Sequence, residues 1–153
     1  YLRLILKELS EVKVVQKKTV ISETLHTLAE KIKRKSLIIL LTEFLFEDPG
    51  LILEGLKHFR HYKHEILVFN ILDPNDRSFN FSDDSTFVDL ETGEKVKTQP
   101  YFLREKYQEK IELFYQNLQR ECRNFNIDFQ NLITDEPYDR ALFRYLLKRK
   151  KLY

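Results

Sequence analysis

The chain of 153 residues has few of the residues that carry covalent and metal chemistry. Its one cysteine, Cys122, excludes an internal disulfide and favours a reducing compartment. Its three glycines are scattered, which excludes a glycine-rich phosphate-binding loop. No stretch approaches the ~20 apolar residues of a membrane span, and no signal peptide is visible. A net charge of +2 does not by itself indicate nucleic-acid binding. We therefore expect a cytoplasmic domain.

Methionine is also absent, and the chain begins with Tyr1. Leu2, Ile5, Leu6 and Leu9 already show helical spacing, with no capping residue ahead of them. We therefore expect residues 1–153 to be a single domain that forms the C-terminal portion of a longer protein. A membrane tether upstream of Tyr1 is compatible with this expectation.

Two short apolar runs, residues 37–41 and 66–72, are each followed closely by an acidic residue, Glu43 and Asp73. Continuous apolar runs of this length predict strands that are buried on both faces of a parallel sheet. Ligands of such sheets bind at the carboxyl ends of the strands. The pattern therefore places Glu43 and Asp73 at the edge of the sheet where function is usually found.

The remaining patterns predict helices around these strands. Ser22 is expected to cap a helix that reaches residue 34, and Asp48 with Pro49 starts another. Residues 86–90 and 95–97 predict a surface hairpin, and residues 127–133 predict a third strand. Long helices are predicted over 101–124 and 138–150. The inward-facing residues are expected to include Leu25, Leu28, Ala29, Ile32, Ile52, Leu53, Leu56, Phe59, Leu142, Tyr145 and Leu146.

This order predicts an α/β fold of three layers, with a mainly parallel sheet and a surface β-hairpin. A sheet of three strands is small for such a fold, and its edge exposes backbone groups. We therefore expect self-association through an exposed sheet edge.

Residues 35–45, KSLIILLTEFL, resemble the RSLVVLISDFL signature of the domain of unknown function 58 family. Residues 64–74, 87–94, 107–122 and 134–146 fit the same pattern in the same order. That family is similar to the von Willebrand factor type A domain. The resemblance therefore implies the C-terminal part of a type A-like fold. Members of this bacterial family are often encoded beside MoxR-type AAA+ ATPases, which implies such an ATPase as a protein partner in assembly or stress pathways.

The resemblance also implies where a metal site would lie. Type A domains bind a divalent metal through an Asp-x-Ser-x-Ser motif, which this chain lacks. Glu43 matches their later aspartate, Thr42 its neighbouring serine, and Thr19 their threonine. The resemblance implies at most a degenerate Mg²⁺ site at Thr19, Thr42 and Glu43. The competing interpretation is that Thr42 and Glu43 only end a strand and cap nearby backbone groups.

Three functions follow from these patterns. The leading hypothesis is a non-catalytic protein–protein interaction module without a cofactor. The second is a metal-dependent phosphotransferase or hydrolase that uses Asp73 as nucleophile and a metal held by Glu43 or Asp135, although Asp73 also suits a turn. The third is nucleic-acid binding through the basic residues 148–151, which equally suit a solvated helix end.

Two further groups of side chains have both structural and functional interpretations. His58, His61 and His64 are three residues apart and are either metal ligands or a solvated helix end. Phe79, Phe81 and Phe87 either form an exposed partner site or pack the hairpin onto the sheet.

Overall fold

The computed structural model describes residues 1–12, 20–44, 48–81, 84–89 and 92–150. Six helices and five strands are formed by these residues. In chain order they are α1 (Leu2–Glu11), α2 (Ile21–Lys31), β1 (Leu37–Thr42), α3 (Pro49–His61), β2 (Glu65–Leu72), α4 (Pro74–Ser78), β3 (Ser85–Val88), β4 (Lys95–Thr98), α5 (Pro100–Asn124), β5 (Asp128–Ile133) and α6 (Tyr138–Lys150).

The three main strands form a parallel sheet in the order β1-β2-β5, which confirms the predicted α/β class. Leu37 of β1 lies opposite Glu65 of β2, and Leu67 of β2 lies opposite Asp128 of β5. The parallel strands end at one edge, so the segments that follow them meet there. The predicted hairpin is formed by the antiparallel pair β3 and β4, and residue 90 of its predicted first strand lies outside the described residues.

Two apolar clusters hold helices against both faces of the sheet. The larger joins α2, α3 and α5 to one face, where Ile52 and Leu56 of α3 are completely buried. The smaller joins Leu67 and Phe69 of β2 to Ala141 and Tyr145 of α6 on the other face. The central strand β2 is therefore covered on both sides, as its apolar run predicts.

The edge strand β1 differs from the prediction, because it is not buried on both faces. Ile38 and Leu40 pack against the larger cluster, but Leu37, Ile39 and Leu41 are 38%, 50% and 61% exposed. Among the described residues, helices cover β1 on one face, and α6 on the other face lies over β2 and β5. An apolar run indicates that a strand favours burial, but it does not predict whether helices will cover both faces of that strand.

Several helix details also differ from the sequence prediction. The helix α2 begins at Ile21 without a side-chain cap, so Ser22 lies inside the helix, and it ends at Lys31 rather than residue 34. Leu142 and Leu146 are 40% and 57% exposed, because Ala141 and Tyr145 form the inner face of α6. Other residues of the predicted stripes are confirmed as buried, namely Leu25, Ala29, Ile52, Leu53, Leu56, Phe59 and Tyr145, whereas Leu28 is 42% exposed and Ile32 is only partly buried.

The predicted aromatic cluster packs the hairpin against α5 rather than against the sheet. Phe79 stacks on Tyr107 of α5 with ring centroids 4.3 Å apart, and Phe87 of β3 lies 5.6 Å from Phe79. Arg104 donates hydrogen bonds to the carbonyl oxygens of Phe79 and Phe81. All three phenylalanines are partly buried, so most of their apolar surface serves the hairpin's attachment.

Candidate functional site

A cleft of about 530 Å³ opens at the carboxyl ends of β2 and β5. Its apolar floor includes Pro74, Ile111 and Ile133, and its rim is polar. The rim residues are Arg77, Ser78, Gln108, Glu112, Asp135 and Glu136. This is the edge of the sheet where the sequence predicts function, so we call it the carboxyl-edge cleft.

Contacts between α4 and α5 fix one wall of the carboxyl-edge cleft. The Tyr107 hydroxyl donates to the carbonyl oxygen of Asp76 at 2.7 Å, and the Gln108 amide donates to that of Ser78 at 2.6 Å. Arg77 forms an ion pair with Glu112 at 3.7 Å, with both side chains half exposed. Because water screens such a pair, it contributes at most about 1 kcal/mol.

Burial perturbs two titratable groups on this wall. Partial burial raises the pKa of the Asp76 carboxyl, and the nearby Asp73 carboxylate raises it further. Burial likewise raises the pKa of Tyr107, with a smaller contribution from the Asp76 charge. The Tyr107 hydroxyl holds α4 in place through its hydrogen bond to the Asp76 backbone carbonyl, and neither Tyr107 nor Asp76 lines the cleft.

A row of polar side chains crosses the sheet near the carboxyl ends of its strands. Thr42, Asn70 and Asn131 occupy matching positions on β1, β2 and β5. The Asn70 side chain is completely buried, and its Nδ2 donates to Asn131 Oδ1 at 3.1 Å. Asn70 Oδ1 has no hydrogen-bond partner among the described residues. A buried acceptor without a partner is costly, and such atoms are concentrated at functional sites.

Of the three predicted metal ligands, the structure describes Thr42 and Glu43. Thr19 lies outside the described residues. Thr42 Oγ1 accepts a hydrogen bond from the Phe44 backbone N–H at 3.2 Å, and Glu43 is exposed. Within the described ranges, no three His, Cys, Asp or Glu side chains form a group that could hold a metal ion. The site at Thr19, Thr42 and Glu43 therefore stays a prediction.

The candidate nucleophile Asp73 has a structural role at the start of α4. Its Oδ1 accepts a hydrogen bond from the Asn75 backbone N–H at 2.8 Å, as an N-cap does. Asp48 caps α3 in the same way, which confirms the predicted helix start at Asp48 and Pro49. Asp135, the other proposed metal ligand, lines the carboxyl-edge cleft. A role of Asp73 and Asp135 in catalysis stays a prediction.

The predicted histidine group is separated by the fold, and a different pair is formed. His64 is buried, and its Nδ1 accepts a hydrogen bond from the Ser36 backbone N–H, whereas His61 is exposed. His58 of α3 instead faces His26 of α2, with their Nδ1 atoms 3.2 Å apart. No sequence pattern indicates this pair, because the two residues are 32 positions apart and on different helices.

Acidic residues neutralise part of the C-terminal basic run. Lys148 pairs with Asp128, and Arg149 pairs with Glu65 at 2.9 Å. These contacts attach the end of α6 to the sheet, while Lys150 remains exposed and residue 151 lies outside the described residues. The run therefore has a structural role in addition to its position at a helix C-terminus.

The single cysteine is unreactive because it is buried. The Cys122 side chain is completely buried on the inner face of α5. Burial raises the pKa of its thiol to about 12, with a smaller contribution from Glu121. Because the thiolate is the reactive form, Cys122 is a core residue rather than a nucleophile.

An apolar groove of about 380 Å³ lies between α2 and the edge strand β1. Along the part of the chain that is described, no strand pairs with the outer side of β1. We call this surface the edge groove. Its lining residues are Ile21, Thr24, Leu25, Leu28, Ile32, Leu37, Ile38, Ile39, Leu40 and Phe59.

Comparison with known proteins gives one match. A family model described as a protein of unknown function, DUF58, matches residues 1–113. This match includes α1 through the first half of α5, and thus the edge groove and the polar row on β1 and β2. No curated protein and no solved structure matches the chain. In the described ranges, no helix has both the length and the apolar character needed to cross a bilayer.

Proposed function

The chain belongs to the DUF58 family of proteins of unknown function, and we propose that it is a non-catalytic protein-interaction module of von Willebrand factor type A-like fold. The sheet with helices on both faces is compatible with that fold. The partner binds along the edge groove. Glu43 and Thr42, at the end of β1, are then a remnant of the metal site of type A domains and not a working site.

The edge groove is the observation that carries this proposal. Leu28 of α2 and Ile39 of β1 line this groove and are 42% and 50% exposed, although β1 has the composition of a buried strand. Since no strand among the described residues pairs with the outer side of β1, its backbone groups can pair with an added strand. An extended partner segment therefore gains main-chain hydrogen bonds from β1 and apolar contacts from the groove, which is the mode called β-augmentation.

We further propose a MoxR-type AAA+ ATPase as the partner, because members of the family resembled are often encoded beside such ATPases. The test measures binding of the purified chain to the ATPase from the same genome by calorimetry. Ile39→Lys places a charge in the groove and should weaken binding about 30-fold, as the loss of a central contact does. Leu113→Lys is the matched control, because Leu113 is 52% exposed and lies on α5, outside the groove.

Each result of this test has a definite meaning. Selective loss in Ile39→Lys supports docking along the edge groove. Equal binding by Ile39→Lys and the unmodified chain rejects the edge groove as the docking surface. Failure of the unmodified chain to bind rejects the ATPase as the partner. A thermal melt of each variant verifies that the lysine has not unfolded the domain.

A magnesium titration separates this proposal from the enzymatic alternative. Phosphotransfer by Asp73 needs a metal held by Glu43 or Asp135, and Mg²⁺ prefers such carboxylate ligands. We expect no stoichiometric heat when Mg²⁺ is added to the chain. Stoichiometric binding that is lost in Glu43→Ala would instead establish a working metal site and favour the enzyme.

A further inference from the structure

A second feature lies where α2 crosses α3. Gly55 of α3 faces Leu25 of α2 so closely that a Cβ at position 55 would be 2.8 Å from the Leu25 Cβ. Glycine therefore allows the two helices to approach more closely than any other residue would. This contact lies one residue from His26 and one helical turn from His58, so it determines how far apart those side chains stand.

The two imidazoles meet on the surface next to this contact. Their Nδ1 atoms are 3.2 Å apart, and their ring centroids are 5.3 Å apart with a tilt of 48°. His58 also packs against Tyr62, with centroids 5.2 Å apart, which restricts its side chain. His26 is exposed and His58 is partly buried, so an ion in solution reaches both nitrogens.

The separation matches the geometry of a metal site. With Zn–N bonds of about 2.0–2.1 Å, two nitrogens of a tetrahedral zinc site stand about 3.3–3.4 Å apart. Neutral imidazole is a preferred ligand of Zn²⁺. The two Nδ1 atoms are within hydrogen-bond distance, with donor and acceptor set by the tautomer, so a bound ion would replace this hydrogen bond. Lys57 precedes His58 on α3, and its ammonium lies 4.1 Å from the centre of the Phe125 ring.

We propose that His26 and His58 form a two-histidine site for Zn²⁺ that clamps α2 to α3. Within the described residues no third His, Cys, Asp or Glu completes a metal group. Two protein nitrogens therefore hold the ion, and water occupies its remaining positions. Such an ion would stabilise the folded chain, because the unfolded chain does not hold the two imidazoles together.

The test titrates ZnCl₂ into the tag-free chain by calorimetry and follows thermal unfolding with and without Zn²⁺. One equivalent should bind and raise the Tm. His26→Ala and His58→Ala should each weaken binding at least about tenfold, which corresponds to 1.4 kcal/mol, and remove the Tm increase. His61→Ala is the matched control, because His61 lies exposed on the same helix but outside the pair, and it should bind like the unmodified chain.

Two outcomes would overturn the proposal. One is the absence of Zn²⁺ binding to the unmodified chain at about 1 mM Zn²⁺, which corresponds to a binding free energy of only about −4 kcal/mol. The other is binding that survives in both His26→Ala and His58→Ala, or that is lost equally in His61→Ala. Because His26 is an exposed residue on α2, its replacement should leave the domain folded, and the melt without Zn²⁺ verifies this.

Discussion

The buried amide of Asn70 allows a test of whether the polar row of Thr42, Asn70 and Asn131 stabilises the folded chain. Asn70 is completely buried in the central strand, its Nδ2 donates to Asn131, and its Oδ1 has no partner among the described residues. Leaving a buried acceptor without a partner costs about 1–3 kcal/mol, and the one hydrogen bond returns about 0.5–1.5 kcal/mol. The side chain therefore reduces the free energy of unfolding by about 1 kcal/mol relative to an apolar residue.

Asn70→Val should thus stabilise the chain by about 1 kcal/mol, since valine removes the unpaired acceptor and favours strands. For a domain of this size the Tm should rise by about 2–4 °C. The assay is urea unfolding, analysed by linear extrapolation. A loss of more than about 1 kcal/mol would refute the reasoning, because it would mean that Asn70 Oδ1 has a partner or that its packing is irreplaceable.

A double-mutant cycle with Asn131→Ala isolates the hydrogen bond. In the unmodified chain, Asn131→Ala leaves the buried Asn70 Nδ2 without its acceptor and should cost about 1–3 kcal/mol. In the Asn70→Val background the same change should cost close to nothing, because Asn131 is exposed. Equal costs in both backgrounds would show that the two amides are not coupled. A stabilised Asn70→Val chain that binds its partner less well would indicate that the amide is retained for binding.

Three further predictions concern packing, pH and association. Leu56→Ala should cost about 2–5 kcal/mol in urea unfolding, because Leu56 is completely buried, whereas Leu51→Ala on the same helix should cost little because Leu51 is 46% exposed. Burial raises the pKa of Cys122 from 9.0 and of Tyr115 from 10.0, each to about 12. The unfolded chain therefore loses these protons first, so the contribution of these two groups to the free energy of unfolding should be fully present below about pH 9 and be lost from about pH 9 to pH 12. A free energy of unfolding that does not fall over this range would contradict the burial of both groups. Sedimentation should show concentration-dependent association through β1 that Ile39→Lys abolishes, and a monomer at every concentration would exclude it.

Local patterns predicted those elements whose environment is set by neighbouring residues. Asp48 and Pro49 are sufficient to start a helix, because an aspartate side chain can accept a hydrogen bond from the first turn and proline suits the first helical position. Asp48 caps α3 as expected. The final helix begins and ends at the predicted residues, 138 and 150. Ser22 failed as a cap because the helix begins one residue earlier, at Ile21, and the N-cap position is occupied by Val20, which has no side-chain oxygen.

Burial of an apolar strand depends on distant parts of the fold and was predicted less well. β1 and β2 have nearly the same composition, yet β2 is covered on both faces and β1 on one. The difference arises because β2 lies between two strands and under α6, while β1 lies at the edge. The same limit applies to α6, where Ala141 rather than Leu142 faces the sheet. Hydrophobic periodicity alone therefore could not predict that leucines of the edge groove are exposed.

The histidine pair shows why a site between two helices escapes sequence analysis. Spacing along one helix brought together His58 and His61, but the ligand geometry depends on α2, which is 32 residues away at His26. The residue that fixes this geometry is Gly55, and nothing in a helical pattern distinguishes a glycine at a helix contact from one that merely weakens the helix. Gly55→Ala separates these interpretations. The added methyl would meet the Leu25 Cβ at 2.8 Å, so α2 has to shift, and Zn²⁺ binding should weaken even if the gain in helix propensity offsets the strain. Unchanged Zn²⁺ affinity in Gly55→Ala would mean that the imidazoles adjust on their own and that the close helix contact does not position them.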